Sequence, residues 1–355
     1  MNAPALKLTP YTQANQAAST YHGYRLRRDG GIESLGQFSA ALPPLAEHEV
    51  QVRIRAVSLN HRDLLIAGDG SKPGEPVIPV SDGAGEVIAV GSKVKQWQPG
   101  DRVMLSFFPD WVDGIAEPSK IQRAFGGSID GLLRDVAHAN EHALVRIPEH
   151  LSFEQAATLP CAGLTAWNAL LTEGQAQAGD TVVLLGTGGV SVWALQLAKA
   201  AGLKVFITSS QDHKLAWAKR QGAEVGINYR DTPEWSKEVL RHTDGLGVKL
   251  VLDVGGKNTL NQAIDSIQMG GTVALIGGVS GGFGGELAPL ALSAGKKLVG
   301  IMVGSRAQLA QLAEFVSQHA IQPVLDKTFP FSEAKQAYRY LASGEHIGKV
   351  VITLY

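Results

Sequence analysis

The sequence predicts an α/β protein in which a doubly wound parallel sheet is joined to a smaller antiparallel β-barrel. Three features lead to this prediction: a glycine-rich strand–turn–helix unit over residues 181–210, the alternation of strands and helices that follows it, and the short alternating strands of the first 150 residues. A chain of 355 residues with 45% hydrophobic content is long and apolar enough for two such domains.

The unit over residues 181–210 is typical of a dinucleotide-binding turn. Residues 182–185 form an unbroken apolar run, as expected for a strand buried on both faces of a parallel sheet. The glycines after it permit a tight turn that presents backbone N–H groups to a pyrophosphate at the start of the next helix. Ser191 stands at the third glycine position of the usual pattern, and a surface turn is the alternative interpretation. The expected cofactor contacts in this turn are Gly186, Thr187, Gly188, Gly189 and Val190.

The alternation continues to residue 305 and gives six predicted strands. After the first come LKVFIT, EVGINY, VKLVLDVGG, TVALIGG and KLVGIMVGS, with helices predicted over 212–221, 233–242 and 258–268. In the earlier strand EVQVRIRAV, apolar and polar residues alternate, which predicts one buried and one exposed face. From about residue 306 we expect a helix, a strand near Thr328 and a terminal strand that return to the barrel. The predicted domains are 1–155, with 1–20 a loose extension, 156–305 for the nucleotide and 306–355 returning to the first domain.

Charge and composition exclude several classes of protein. A net charge of −1 and a pI near 6.8, without a basic stripe, argue against a nucleic-acid partner. No apolar run approaches the ~20 residues of a membrane span, and the N-terminus does not resemble a signal peptide, so we expect a cytoplasmic protein without a membrane partner. The single cysteine, Cys161, excludes an intramolecular disulfide.

Several motifs, in order, resemble the medium-chain dehydrogenase/reductase superfamily of zinc alcohol dehydrogenases and quinone oxidoreductases. They are SLNHRD (58–63), PVSDGAGEVIAVG (79–91), PGDRV (99–103), LPCAGLTAWNAL (159–170), GTGGVS, VLDVGG and the terminal GKVVI. The resemblance covers about residues 24–352. It implies a GroES-like catalytic barrel, a Rossmann nucleotide-binding domain, a cleft between them that takes a small-molecule substrate, and a homodimer joined through the nucleotide domains.

The zinc-dependent members of this superfamily hold their metal with two cysteines and a histidine. At the corresponding positions this chain has Asn60, Ser81 and Cys161, and neither an amide nor a hydroxyl is a normal zinc donor. Asp82 and Glu86 are alternative metal donors, together with His61 and Asp63, but the sequence around them is not that of a metal site. The structural zinc lobe is also absent, so we expect no zinc. Asn60 and Asp63 fit the zinc-free quinone-reductase branch.

Without a metal, the site must stabilise developing negative charge by hydrogen bonds or act on a substrate that delocalises it. The sequence therefore favours NADPH-dependent, zinc-independent hydride transfer to a quinone or enone. One alternative is an NAD(P)-dependent alcohol dehydrogenase or carbonyl reductase of the same superfamily. Another is a non-catalytic NADPH-binding protein.

Each candidate catalytic residue has a structural alternative. Asn60 is the candidate holder of a substrate oxygen, or it stabilises a turn. His61 contacts the pyrophosphate or relays a proton, or it is a surface histidine. Asp63 is an active-site acid or caps a helix. The resemblance places Thr165 near the nicotinamide, whereas Cys161 is expected to be a small buried residue rather than a nucleophile.

The loop over residues 106–131 replaces the metal lobe and carries four aromatic residues, Phe107, Phe108, Trp111 and Phe125. They line an apolar substrate pocket, pack in the core or contact a second subunit.

The end of the second predicted strand favours NADP(H), with NAD(H) possible. Ser209 and Ser210 stand where NAD-preferring folds place an acid. With Lys214 and Tyr229 they resemble the cluster that holds the 2′-phosphate in quinone reductases, although the nearby Asp212 argues the other way. Lys349 resembles the superfamily's cationic cofactor contact, or is an edge-strand lysine. The remaining expected contacts, beside the nicotinamide, are Gly255, Gly277, Val279, Val303 and Ser305.

Overall fold

The computed structural model describes residues 20–71, 73–282, 287 and 289–355. Residues 1–19 of the predicted extension lie outside these ranges. The described part of the chain contains a six-stranded parallel sheet and the antiparallel sheets of a barrel. The α/β fold class predicted from the sequence is therefore confirmed.

The first part of the chain forms the antiparallel barrel. Its strands are β1 (Thr20–Arg27), β2 (Gly36–Ala41), β3 (Glu49–Ser58), β4 (Pro76–Val77), β5 (Asp82–Val90), β6 (Arg102–Leu105), β7 (Val136–Asn140) and β8 (Leu144–Arg146). Its helices are α1 (His61–Ala67) and α2 (Pro118–Ile121), with 3₁₀ turns at Ile32–Ser34 and Glu141–Ala143. One sheet has the order β2-β1-β4, and the larger sheet includes β3, β5, β6 and β8, with β7 paired to β3.

Strand β3 lies in the interior of the larger sheet, between β5 and β7 for part of its length. The side chains on its predicted buried face are fully buried: Val50, Val52, Ile54 and Ala56. The opposite face is not uniformly exposed, because Gln51 is buried and its Nε2 lies 3.1 Å from Nε2 of His138 on β7. The expected exposure was wrong at Gln51, since a second neighbouring strand covers it.

A run of short helical segments leads from the barrel to the second sheet. It consists of α3 (Phe153–Ala156), a π-helical turn at Leu159–Gly163, α4 (Leu164–Trp167) and a second π-helical turn at Asn168–Thr172. Such turns are rare in proteins overall, but those that occur are often found at functional sites. Cys161 lies in the first of them and Thr165 in α4.

The second sheet is entirely parallel, with helices between its strands. Its elements are β9 (Thr181–Leu185), α5 (Gly189–Ala200), β10 (Lys204–Ser209), α6 (Asp212–Arg220), β11 (Val225–Asn228), α7 (Trp235–Arg241), β12 (Val248–Asp253), α8 (Leu260–Ser266), β13 (Ile267–Leu275) and β14 (Lys297–Gly300), with a 3₁₀ turn at Pro289–Leu292. The strand order β11-β10-β9-β12-β13-β14 is that of a Rossmann fold. Successive strands are added on one side of β9 up to β11 and then on its other side from β12 onward. This change of side between β9 and β12 places the ligand crevice at the carboxyl end of β9. Helix α8 ends before Gln268, because Ile267 already begins β13.

The last part of the chain returns to the barrel. It contains α9 (Arg306–Gln318), β15 (Leu325–Pro330), a 3₁₀ turn at Phe331–Glu333, α10 (Ala334–Ser343) and β16 (Lys349–Thr353). Strand β16 pairs antiparallel with β3, Val351 facing Ser58, and parallel with β15. The sequence did not lead us to expect α10. The pairing brings the start of β16 beside the start of α1.

The largest apolar core joins the two sheets. It includes Met104 from the barrel, Leu164 from α4, and Val182 and Leu184 from β9. Among the described residues, no helix is both long enough and apolar enough to cross a bilayer.

Ser191 has a structural task at the third glycine position. Its side chain is buried in the first turn of α5, and its hydroxyl donates a 2.7 Å hydrogen bond to the carbonyl oxygen of Leu185 at the end of β9. The serine therefore ties the helix to the strand across the turn.

We expect Ser191→Ala to lower the free energy of unfolding by about 1 to 2 kcal/mol, because the buried Leu185 carbonyl loses this donor. Urea unfolding followed by circular dichroism measures the change. The control is Ser317→Ala at an exposed position of α9, which should alter stability by less than about 0.5 kcal/mol. Equal effects of the two substitutions would contradict the assigned role.

Candidate active site

The turn after β9 leaves space for a ligand. Gly186 has φ +76°, a conformation that favours glycine, and a Cβ at Gly186 or Gly188 would meet no atom within 4 Å. Helix α5 begins at Gly189, so the unpaired N–H groups of its first turn face this space. This geometry suits a cofactor pyrophosphate.

The turn is joined to the start of β16 through the backbone. Gly188 and Gly348 form an isolated bridge, and the Gly348 N–H donates a 3.1 Å bond to the Thr187 carbonyl oxygen. A Cβ at Gly189 would lie 2.6 Å from Cδ of Lys349. The Lys349 side chain therefore runs directly against the first residue of α5, and only glycine there leaves room for it.

The Lys349 ammonium lies on the barrel side of the cleft. Its Nζ donates to Oδ1 of Asn60 at 2.5 Å and to the Leu59 carbonyl oxygen at 2.6 Å. The side chain is 3% exposed. Burial lowers the pKa of Lys349, while the carboxylates of Asp82 and Asp63 oppose this shift. In this structure the ammonium is thus directed to Asn60 rather than to the nucleotide turn.

Asn60 and Asp63 both act at the start of α1. Asn60 is the N-cap residue and is buried, with Nδ2 3.4 Å from the Ser58 carbonyl oxygen. The Asn60 N–H donates to Oδ2 of Asp63 at 2.8 Å, so Asp63 caps the helix from its third position. His61 begins α1 and is exposed. The structure therefore places the Asn60 side chain in contact with the Lys349 ammonium, and Asp63 in contact with the Asn60 backbone.

Asp63 is fully buried and only partly satisfied. Its Oδ1 has no hydrogen-bond partner. Burial raises the pKa of Asp63 to about 6, against the opposing effects of the Arg62 guanidinium and the Asn60 N–H.

Ser81, Asp82 and Cys161 form the other side of the centre. The Ser81 hydroxyl donates to Oδ1 of Asp82 at 2.7 Å, and the Cys161 N–H donates to Oδ2 at 3.2 Å. Burial raises the pKa of the Cys161 thiol, and the negative charge of Asp82 raises it further. The raised pKa disfavours the thiolate, which makes Cys161 a poor nucleophile.

The residue before Ser81 is strained. Val80 has φ +72°, an outlier for a β-branched residue. Its carbonyl oxygen accepts a 2.8 Å bond from the Leu132 N–H, and Gly126 packs so closely that a Cβ there would lie 2.6 Å from Val80 backbone atoms. The loop beyond β6 thus holds Val80, and with it Ser81, in place.

The three positions that correspond to zinc ligands do not fit a zinc ion. They offer an amide whose oxygen accepts from an ammonium, a hydroxyl that donates to a carboxylate, and a single thiol, so only one of the three is an ordinary zinc ligand. The described residues contain no group of three or more His, Cys, Asp or Glu side chains arranged to hold a metal. The Lys349 ammonium would also repel a dication at this place.

An aromatic cluster borders Cys161. Phe107, Phe108 and Trp111 are buried together and pack against Cys161 and Val303. The rings of Phe107 and Phe108 meet edge to face, with centroids 4.6 Å apart. The cluster therefore forms an apolar wall at the site.

The fourth aromatic residue of the loop, Phe125, packs in the barrel core instead. Arg62 lies between these two groups, with Cζ 4.6 Å from the centroid of the Phe107 ring and Nη1 3.0 Å from the Phe125 carbonyl oxygen. The sequence did not lead us to single out Arg62.

On the predicted nicotinamide side, Asp253 organises the turn after β12. Its Oδ1 accepts from the N–H groups of Gly255 at 2.8 Å and Gly256 at 3.0 Å, and from the Thr259 hydroxyl at 2.6 Å. Sequence reasoning missed Asp253, although an acid at the end of a buried strand signals such a role. Gly277 follows β13, and Val279 is exposed.

Three other residues predicted to lie near the nicotinamide are buried or hydrogen-bonded within the protein. Thr165 is buried in α4. The Val303 carbonyl oxygen accepts a 3.1 Å bond from Nδ2 of Asn168, and Ser305 caps α9 through a reciprocal bond with Gln308.

The predicted 2′-phosphate cluster is only partly assembled. Ser209 is buried at the end of β10, and its carbonyl oxygen accepts from the Tyr229 N–H at 3.1 Å. Lys214 is buried on α6, with Nζ donating to the carbonyl oxygens of Gly344 at 2.8 Å and His346 at 3.1 Å. Ser210 is half-buried. The lysine thus bonds the backbone of the segment after α10.

We expect the contribution of Asp63 to wild-type stability to fall as pH rises from about 4 to 7, because folded Asp63, with its pKa of about 6, holds its proton at pH values where the unfolded carboxyl has lost it. In Asp63→Asn this contribution disappears. The variant should therefore gain about 2 to 3 kcal/mol relative to wild type between pH 4 and pH 7. Denaturant unfolding at several pH values measures it, with Asp265→Asn at an exposed position of α8 as control. A stability difference between Asp63→Asn and wild type that does not change with pH would contradict the raised pKa of Asp63.

Two families of known proteins match this chain, one over the barrel and one over the parallel sheet. The family described as alcohol dehydrogenase GroES-like domain matches residues 46–149, and the family described as zinc-binding dehydrogenase matches residues 189–318. A zinc-type alcohol dehydrogenase-like protein of Schizosaccharomyces pombe is 43% identical over 314 residues, covering 86% of this chain and 91% of that protein.

Solved structures agree with these matches. The crystal structure of a putative alcohol dehydrogenase from Sinorhizobium meliloti has a TM-score of 0.86 and 36% identity, covering 96% of this chain and 100% of that one. An NAD-dependent alcohol dehydrogenase has a TM-score of 0.85 and 30% identity, covering 94% and 100%. The chain therefore belongs to the medium-chain dehydrogenase/reductase superfamily and is an NAD(P)H-dependent oxidoreductase.

Proposed function

We propose that this oxidoreductase transfers hydride from NADPH to the conjugated system of an enone or quinone, without zinc. The observation that carries the proposal is the centre formed by Asn60, Asp82 and Lys349, where zinc-dependent members hold their metal. A polar centre without a metal supports reduction of a substrate that spreads negative charge over several atoms.

The chain's own residues supply binding, orientation and a dry environment. When bound, the reduced nicotinamide supplies the hydride. The turn at Gly186–Gly189 holds the pyrophosphate, and the glycine turn fixed by Asp253 borders the nicotinamide. Asn60 lies on the barrel side of the site, and its bond to the Lys349 ammonium supports a role in holding a substrate oxygen there.

The apolar wall of Phe107, Phe108 and Trp111 favours a planar, weakly polar substrate. Its contacts with Cys161 and Val303 place it next to the polar centre rather than in a distant part of the core. Enones and quinones combine one polar oxygen with a flat apolar body, which matches such a pairing.

A second candidate is an alcohol dehydrogenase or carbonyl reductase, and the names of the relatives favour it. Such an enzyme would reduce aldehydes or ketones, and it would need the charge on a single oxygen to be stabilised. Substrate range discriminates between the two candidates.

The first experiment is NADPH and NADH oxidation by metal-stripped protein with a panel of quinones, enones, aldehydes and ketones, with and without added zinc. We expect turnover of enones or quinones that prefers NADPH and does not respond to zinc. Activity confined to aldehydes or ketones would favour the second candidate, and activation by zinc would contradict the metal-free site. Tight NADPH binding without any turnover would support a binding protein instead.

The preference for NADPH rests on the end of β10. Ser209 and Ser210 put no acid there, and the carboxylate of Asp212 accepts a 2.8 Å bond from Nδ2 of Asn228. Lys214 is close enough in sequence for one of its N–H groups to serve a 2′-phosphate. The NAD dependence named for one structural relative argues the other way, so a direct test is needed.

Lys214→Ala should weaken NADPH binding about 10-fold or more while changing NADH binding much less, because only NADPH carries the 2′-phosphate that the ammonium would contact. Fluorescence titration with each cofactor measures both dissociation constants. Lys219→Ala, at an exposed position of the same helix, is the matched control and should change neither. Equal losses for the two cofactors would contradict the assignment and leave Lys214 as a tie to Gly344 and His346.

A further inference from the structure

The ammonium of Lys349 lies at the convergence of the three positions that hold the metal in zinc-dependent members of the superfamily. It bonds Oδ1 of Asn60 at the first of these positions. It interacts electrostatically with the carboxylate of Asp82, which accepts from the Ser81 hydroxyl at the second position and from the Cys161 N–H at the third. One positive charge thus lies among the side chains that would otherwise surround a metal ion.

The placement of this charge is not accidental packing of a flexible side chain. Lys349 is 3% exposed, and two short bonds fix its Nζ, one to Asn60 and one to the Leu59 carbonyl oxygen. An ammonium has three N–H donors, and these bonds use two of them. One N–H remains for another acceptor.

We propose that Lys349 donates this remaining N–H to the carbonyl oxygen of the substrate and stabilises the negative charge that develops on it. The proposal rests on the proposed function. It assigns to Lys349 the stabilisation of negative charge that a metal ion would provide in zinc-dependent members. Asn60 is then a positioning residue, because its Oδ1 holds the ammonium in place.

The step needs only the cofactor hydride, the enone and a proton from water. Hydride adds to the β-carbon of the enone, the electron pair of the carbon–carbon double bond forms a new double bond between the α-carbon and the carbonyl carbon, and the π pair of the carbonyl group moves to its oxygen, giving an enolate. The Lys349 N–H bond to that oxygen strengthens as the charge grows. A proton from water then completes the saturated ketone, and Lys349 keeps its own proton throughout.

The competing role for Lys349 is that of a pyrophosphate contact, since its stem lies against Gly189. The two roles differ in what the lysine contacts, and therefore in which constant a substitution changes. Loss of a pyrophosphate contact weakens cofactor binding. Loss of a donor to the substrate oxygen lowers kcat at saturating cofactor.

The experiment compares Lys349→Met with Lys349→Arg and with the control Lys327→Met, which makes the same chemical change at an exposed position of the adjacent strand β15. We expect Lys349→Met to lower kcat about 100-fold at saturating NADPH and to change the NADPH dissociation constant less than about 3-fold. Lys349→Arg should retain more activity than Lys349→Met, and Lys327→Met should match wild type. A large rise in the NADPH dissociation constant with kcat preserved would overturn the proposal.

A second measurement does not require turnover, and its decisive comparison with free 4-nitrophenol uses the wild-type enzyme. We would titrate 4-nitrophenol bound to metal-free, NADPH-loaded wild-type enzyme, following the phenolate absorbance against pH. A donor cation at the oxygen site should lower the pKa of the bound phenol by about one unit or more, and Lys349→Met should abolish the shift. A wild-type enzyme that shows no preference for phenolate would overturn the proposal.

The two measurements separate this inference from the proposed function. A phenolate shift that depends on Lys349, in an enzyme that turns over no enone or quinone, would leave the oxygen site in place and overturn the function. Turnover of enones by Lys349→Met at the wild-type kcat would do the reverse.

Discussion

The pairing of β16 with β3 is the contact on which the site depends. It places Val351 opposite Ser58 and so brings Lys349 to Asn60 and Gly348 to the nucleotide turn. Removing an ammonium from water is costly unless oxygen atoms and opposite charge replace the lost solvent. The Leu59 carbonyl, the Asn60 amide and Asp82 provide that replacement, which explains why a lysine can be buried here at all.

The parallel sheet was predictable because each of its strands combines an apolar run with a glycine or helix signal close by in the sequence. The barrel was predictable in kind but less so in detail. Alternation in β3 reports which residues face the core, yet it cannot report that β7 covers Gln51 on the other face. Helix α10 was missed although Ala337, Tyr338 and Leu341 have helical spacing and are buried, so a closer search for that period would have found it.

The site was predictable only as far as its motifs reach. Asn60, Ser81 and Cys161 follow from their places in spaced motifs, and the sequence alone shows that two of them, Asn60 and Ser81, carry no ordinary zinc donor. The destination of the Lys349 ammonium could not be read in this way, because it depends on a contact between residues 289 positions apart. The same holds for Lys214, whose partners lie about 130 positions away. Long, flexible side chains leave no local signal of where they end.

The bridge between Gly188 and Gly348 also has a mechanical consequence. It joins the nucleotide turn to the start of β16 by a backbone hydrogen bond, directly beside the buried lysine. Gly348 and Lys349 are adjacent in the chain, so a shift of the start of β16 would move its contact with the nucleotide turn and the buried ammonium together. The positions of the cofactor turn and of the charged centre are therefore mechanically coupled.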